Sequence, residues 1–236
     1  MWSEFFQSVI IISVLASTIR IATPVLLAAL GELVTEKAGV LNMGVEGMML
    51  TGAFVSTLVG SLTNIWIGLL AAILAGGLLA AVLAVLSIKY KTDQIIAGTI
   101  INIFATGITS FLSARFLQVY QNLNDPGRFP TIRIPVLSKI PFFGPILFEH
   151  NMFVYAMYIF LIVITIGLYY TRWGLRTRSV GEHPKAADTL GINVYMMRYA
   201  GVILSGVMCG LAAAVLYPAK WINGMTGGRG FIALAA

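Results

Sequence analysis

The sequence predicts an all-α, polytopic bundle of transmembrane helices, six spans plus the start of a seventh. Three features carry that prediction. Only 10% of the 236 residues are charged, against roughly 25% in a soluble domain. The apolar set reaches 58%, with 24 glycines outside it, so a soluble fold would lack the charged groups to cover its surface. Four uncharged stretches are long enough for a helix to cross the hydrocarbon layer, which takes about 20 residues. The single cysteine, Cys209, excludes an internal disulfide scaffold. The composition also excludes a disordered chain.

The spans follow in order. Phe5 to Gly31 is apolar but interrupted by Arg20, with Pro24 after it. Met1 to Phe6 carries Glu4 and no basic residue, so the stretch reads as a retained span rather than a removable leader. Gly47 to Asn64 is uncharged, with Glu46 at its start. Ile65 to Ile88, Gln94 to Ala114, Asn151 to Tyr170 and Tyr199 to Ala219 hold 24, 21, 20 and 21 residues without a charge. They are too long for transmembrane strands, which run about 10 residues. A seventh apolar run, Gly230 to Ala236, begins and stops, so the chain is expected to be C-terminally truncated, a fragment of one transmembrane domain over 1–236. A short tail lying on the surface is the alternative.

Basic residues set the orientation. Thr171 to Arg198 carries Arg172, Arg176, Arg178, Lys185 and Arg198 against Glu182 and Asp188, which assigns 171–198 to the cytoplasm. Lys89 and Lys91 then fall on the same side, as does the Gly31 to Gly44 connection. The N-terminus and the 118–150 loop fall outside. That outer loop holds Pro126, Pro130, Pro135, Pro141 and Pro145, a density that argues against a helix through it. Ile132, Ile134, Phe142 and Phe143 suit the headgroup zone. The loop is either a cap that meets a partner or a plain connection.

Within 171–198, Pro184 suits the first turn of a short helix. Ala186, Ala187 and Leu190 follow it, and Gly191 can end it. Such a helix, lying across the membrane face, would offer Ala186 and Ala187 as a flat surface, either for a cytosolic partner or as part of an ordinary basic loop.

These residues carry a family resemblance. Val180-Gly181-Glu182-His183-Pro184-Lys185-Ala186-Ala187, then Gly191-Ile192-Asn193, resembles the cytoplasmic coupling segment of ATP-binding-cassette importer permeases. The run TPVLLAALGELVTEKAGVLNMGVEGMMLTGAF, Thr23 to Phe54, resembles the branched-chain amino acid and simple-sugar permease family. Within it, the run is most similar to the permeases that work with Bmp-type lipoproteins and import nucleosides. The terminal GGRGFIALAA, Gly227 to Ala236, fits, and the resemblance implies that further helices follow it. It also implies a second permease subunit, a cytosolic ABC ATPase that binds ATP and Mg, an extracellular substrate-binding lipoprotein, and a place in the bacterial plasma membrane. Gly181, Glu182, Ala186, Ala187 and Gly191 would form the ATPase coupling site. No cofactor, metal or nucleic acid is implied for the chain itself.

Candidate pathway residues come from the polar groups near the spans. Asn42 and Glu46 would share a helix face if the segment were helical. A carboxylate near a span is expensive unless it meets the bundle, an aqueous path or a partner. Gly39, Gly44 and Gly47 permit a broken helix, a common lining of transport sites. Glu46 at a helix N-terminus on the cytoplasmic boundary is the alternative. Asn102, Thr106 and Thr109 share a rough face of the fourth span, with Thr99 one turn earlier. They serve interhelical hydrogen bonds or line a path. Arg20 pairs with a carboxylate or reaches for the interface. Gly206 and Gly210 form a small-residue step in the last span that Gly76 and Gly77 can match.

The chain has no GxxxxGK[ST] motif, so ATP hydrolysis would come from a partner subunit. His150 and His183 fall on opposite predicted sides and cannot share a metal. Rival readings are an ion-gradient-driven secondary transporter, which needs a carboxylate deep in a span, and a membrane-embedded enzyme, which needs a cluster of His, Asp or Cys. A structural subunit is a third. For the solute, a sugar or a branched-chain amino acid stands beside a nucleoside.

Overall fold

The computed structural model describes residues 9–120, 124, 127, 129–133, 143–216 and 221–236. Six of its helices are long and apolar enough to cross a membrane, as the uncharged runs predict. They are α1 (Val9–Lys37), α2 (Val45–Leu62), α3 (Ile65–Ala84), α4 (Gln94–Leu112), α6 (Met152–Tyr170) and α9 (Val194–Val215). The short elements between and after them are β1 (Thr131–Arg133), α5 (Phe143–Leu147), β2 (Glu149–Asn151), α7 (Arg172–Glu182), α8 (Pro184–Thr189) and α10 (Arg229–Ala235). β1 and β2 pair antiparallel, Ile132 opposite His150.

Four helices start on a local cap of the kind a sequence advertises. Asn64 accepts from the Trp66 N–H before α3. Asp93 accepts from Ile95 and Ile96 at 2.8 and 3.2 Å before α4. Thr171 accepts from Gly174 before α7, and Asn193 from Met196 before α9. At their far ends α3 and α4 loosen into a wider turn. Tyr90 and Gln118 donate to carbonyls five residues back, at Val85 and Ser113.

α9 and α2 are the most enclosed spans. In a bilayer, helices gain little from hiding apolar surface, so close backbone approach has to hold them together. The small-residue step does this. A Cβ at Gly206 would run into Ala80 and the Gly76 carbonyl, and one at Gly210 into the Ala72 carbonyl. α3 and α9 therefore cross backbone to backbone, with Gly76 rather than Gly77 at the contact. Leu27, Val34, Met48, Leu83, Phe153 and Met208 fill the core around this crossing. At one end of the bundle Trp66, Phe129 and Phe153 stack edge to face.

Three boundaries differ from the sequence reading. The first span runs on to Lys37, past Gly31, because Glu32 and Thr35 find hydrogen bonds inside the protein and need not end the helix. The last span starts at Val194 rather than Tyr199, and Arg198 inside it donates to the Ala38 carbonyl. The outer loop does contain helix, the five-residue α5, where Pro145 sits in the first turn and costs no hydrogen bond. Ile134, Phe142, Pro126, Pro135 and Pro141 lie outside the described residues, as do 1–8 and 217–220. Arg20 stands on the exposed face of α1, one turn before Pro24. Since proline has no N–H, the Arg20 carbonyl loses its helical donor there.

A candidate translocation site between two buried helix starts

The 38–44 connection turns at Gly39, which has φ +78°. It then climbs into the bundle before α2 begins. The depth follows from its partners. Leu41 N–H donates to the Gln94 side chain at 2.7 Å, at the start of α4. Gly47 N–H donates to Asn102 Oδ1 at 2.8 Å, eight residues further along that helix and about 12 Å deeper. α2 thus begins inside the bundle, and the Asn102 amide caps it from another span while donating to the Met43 carbonyl at 2.8 Å.

A second helix also starts inside. After α9 the chain returns past Trp221, whose ring meets Phe54 edge to face at 5.3 Å. It then descends along α2 to the level of Glu46. There α10 begins after Gly228, whose φ is +81°. Thr226 Oγ1 donates to Glu46 Oε1, and the backbone N–H groups of Gly228 and Gly230 donate to the same carboxylate at 3.0 and 2.7 Å. Glu46 sits in the first turn of α2 and also caps α10 from outside. One negative charge meets the positive ends of two helix dipoles.

These residues open onto a cleft of about 440 Å³ lined by Met43, Glu46, Thr99, Asn102, Ile103, Thr106, Gly107 and Phe231. Three of the four predicted pathway residues, Glu46, Asn102 and Thr106, share this wall. Thr99 and Thr106 donate to carbonyls of their own helix, Ile95 and Asn102. Thr109 also bonds within its own helix. Of the polar side chains on α4, Thr99, Asn102, Thr106 and Thr109, Asn102 alone bonds to another helix among the described residues.

Asn42 does not share that wall. It lies before α2 rather than on it, so its spacing from Glu46 does not become a common helix face. It is fully buried beside Glu32. Its N–H donates to Glu32 Oε1 at 2.8 Å, its Nδ2 donates to Ser205 Oγ at 2.9 Å, and Ser205 Oγ donates to Glu32 Oε2 at 3.3 Å. The sequence reading did not single out Glu32 or Ser205. The available signal was the spacing of Glu32 and Glu36 after an uncharged run, which marks a helix continuing beyond its apolar stretch.

The predicted coupling residues gather at the basic end. α8 begins at Pro184 as expected. Gly191, with φ +79°, ends it, and the N–H groups of Gly191 and Ile192 donate to Asp188 and Ala187. The expected flat alanine pair is split. Ala186 is exposed, but Ala187 is buried against Val180 and Met197, because adjacent residues on a helix point about 100° apart. Glu182 is exposed. Gly181 packs inward, where a Cβ would run into the Lys37 carbonyl. His150 is buried at the other end, its Nε2 at 2.6 Å from the Ile146 carbonyl, and His183 is exposed beside α8.

A bundle of apolar spans in which two helices begin inside, beside a cleft with a few polar groups, fits a membrane permease. The chain belongs to the family described as branched-chain amino acid transport system / permease component, whose model matches residues 14–236. It is a multi-pass cell-membrane protein and a permease subunit. It is 40% identical over 235 residues to the guanosine ABC transporter permease protein NupQ of Bacillus subtilis, covering 94% of this chain and 73% of that protein. It is 37% identical over 238 residues to the nucleoside ABC transporter permease protein NupC of Lactococcus lactis, covering 94% and 74%. It is 39% identical over 229 residues to TsgC13 of Haloferax volcanii, named as a glucose ABC transporter permease, covering 94% and 68%. No solved structure matches the chain.

Proposed function

We propose that the chain is the permease subunit of an ATP-driven ABC importer that carries a nucleoside into the cell. The observation that carries this reading is the cleft at Glu46, Asn102 and Thr106, where a few polar groups interrupt a lining that is otherwise apolar. The Asn102 amide is committed to α2, and each cleft threonine spends its hydroxyl hydrogen on its own helix. What remains toward the cleft is acceptor character: threonine oxygen lone pairs and the edge of the Glu46 carboxylate. Such a wall suits a solute rich in donors, such as ribose hydroxyls and the N–H groups of a base. Glucose also carries donor hydroxyls, and the likeness to TsgC13 keeps a sugar as the second reading.

In this scheme the cleft faces a second permease subunit. The extracellular lipoprotein delivers solute at the 118–150 loop. A cytosolic ATPase, holding ATP and Mg, docks on the coupling segment through Glu182, Ala186 and the helix end at Gly191. Gly181 and Ala187 act from beneath, as the packing that holds α8 in place. The permease moves its solute without changing it covalently.

The test is reconstitution of the chain with its partner subunits in liposomes, measuring ATP hydrolysis and uptake with nucleosides, sugars and amino acids. Nucleoside-stimulated hydrolysis with uptake is the expected result. Stimulation by sugars alone would move the solute to the second reading, and an assembled chain that recruits no ATPase would overturn the importer. For the docking site, Ala186→Glu should release the ATPase from a folded permease, whereas Ala187→Glu should unfold the α7–α9 corner.

A further inference from the structure

Seven consecutive residues join the basic end of the bundle to the cleft, and between them they are held by α1, α4, α7 and α9. At the start, Gly39 and Gly181 touch backbone to backbone, and Arg198 donates to the Ala38 carbonyl at 3.4 Å. Gly181 lies three residues before α8, and Arg198 lies in the first turns of α9. Both ends of the segment that carries α8 therefore grip Ala38 and Gly39. Next, Leu41 is tied to Gln94 at 2.7 Å. Asn42 is locked into α1 and α9 through Glu32 and Ser205, and its Oδ1 accepts from Gly44 N–H at 3.1 Å. At the far end, Met43 and Gly47 hold the Asn102 amide, and Glu46 follows with the start of α10.

We infer that 38–44 is the transmission element of the importer. Displacement of α7 and α8 reaches the cleft through this segment, and Asn42, Glu32 and Ser205 form the latch that makes it move as one piece. The inference rests on the proposed function. Its physical basis is the absence of slack. Ala38, Gly39 and Val40 are bonded to the last turn of α1, at Val34, Thr35 and Glu36, so the segment, gripped at each end and at its middle, has little free length in which to absorb a shift of one end by bending. The movement must pass on to Met43 and Glu46. Asn42, Glu32 and Ser205 are positioning residues here, since none of them lines the cleft.

Two experiments test it on the assembled importer. In the first, Leu41 and Gln94 are both changed to cysteine and joined by a short, cleavable thiol cross-linker. Cys209 is buried and does not compete. The expected result is loss of uptake and of solute-stimulated hydrolysis while the ATPase stays bound and its basal rate persists, with recovery on cleavage. A cross-linked importer that transports at the uncross-linked rate would overturn the inference. In the second, Asn42→Ala should lower the ratio of solute-stimulated to basal hydrolysis by roughly two- to thirtyfold with the KM for ATP unchanged. A merely structural Asn42 would lower both rates together and leave the ratio intact, which overturns the latch. Failure of the importer reading itself looks different: the unmodified chain then recruits no ATPase and gives neither rate.

Discussion

Two kinds of helix start stand out among the described residues. α3, α4, α7 and α9 begin at the ends of the bundle, and each is capped by the residue just before it: Asn64, Asp93, Thr171 and Asn193. α2 and α10 begin inside, and neither has a side-chain cap from its own N-cap glycine. Their first N–H groups are satisfied from elsewhere, by Asn102 and by Glu46. Near the aqueous boundary a missing cap is replaced by water. Gly47 and Gly230 are buried, and a buried N–H left unpaired costs the full desolvation penalty. The interior starts therefore recruit partners from distant spans, and those partners become the wall of the cleft. Capping and the candidate transport site are the same side chains.

The comparison can be broken or sharpened by substitution. The largest effect is expected from Glu46→Leu. It strips acceptors from Thr226, Gly228 and Gly230 at once, at about 1–3 kcal/mol for each orphaned group. Uptake should vanish and thermal denaturation of the detergent-solubilised protein should shift sharply downward, with Glu46→Gln in between. If the leucine variant keeps native stability, the remote cap carries no weight.

Asn102→Ala comes next. It leaves Gly47 N–H and the Met43 carbonyl unpaired, at about 1–3 kcal/mol for each. The same denaturation assay should place it between Glu46→Leu and any local-cap variant. Asp93→Ala should cost only about 1 kcal/mol, since Asp93 is exposed and water takes over its two N–H partners. A local cap that proved as costly as Asn102 would erase the distinction between the two kinds of start.

Thr106→Val should have the smallest effect on stability, because its hydroxyl serves only its own helix. It removes an acceptor from the cleft, so the KM for solute uptake should rise with the denaturation midpoint unchanged. A valine variant with unaltered KM would take Thr106 out of the pathway.

Much of the architecture was legible in the sequence. Uncharged runs of sufficient length force helices, because a backbone in hydrocarbon must satisfy itself within its own segment. The Pro184 start, the Gly191 stop and the small-residue step at Gly206 and Gly210 are all short-range signals that the fold honours. The cleft was partly legible. Glu46, Asn102 and Thr106 stand out as polar groups in apolar surroundings, and all three reach one wall. Asn42 stands out in the same way and goes elsewhere. Glu32 hid among the charges that end an apolar run.

What the sequence determined by itself is whatever depends on neighbours along the chain: span count, helix type, local caps and the basic end. What only the tertiary structure decided is the assignment of each buried polar group to a partner far away in sequence, Glu46 to Gly230, Asn42 to Ser205 and Asn102 to Gly47. The physical reason is that a buried polar side chain must find a hydrogen bond but is indifferent to which residue supplies it. That choice is made by the packing of α1, α2, α4 and α9, which no local spacing encodes.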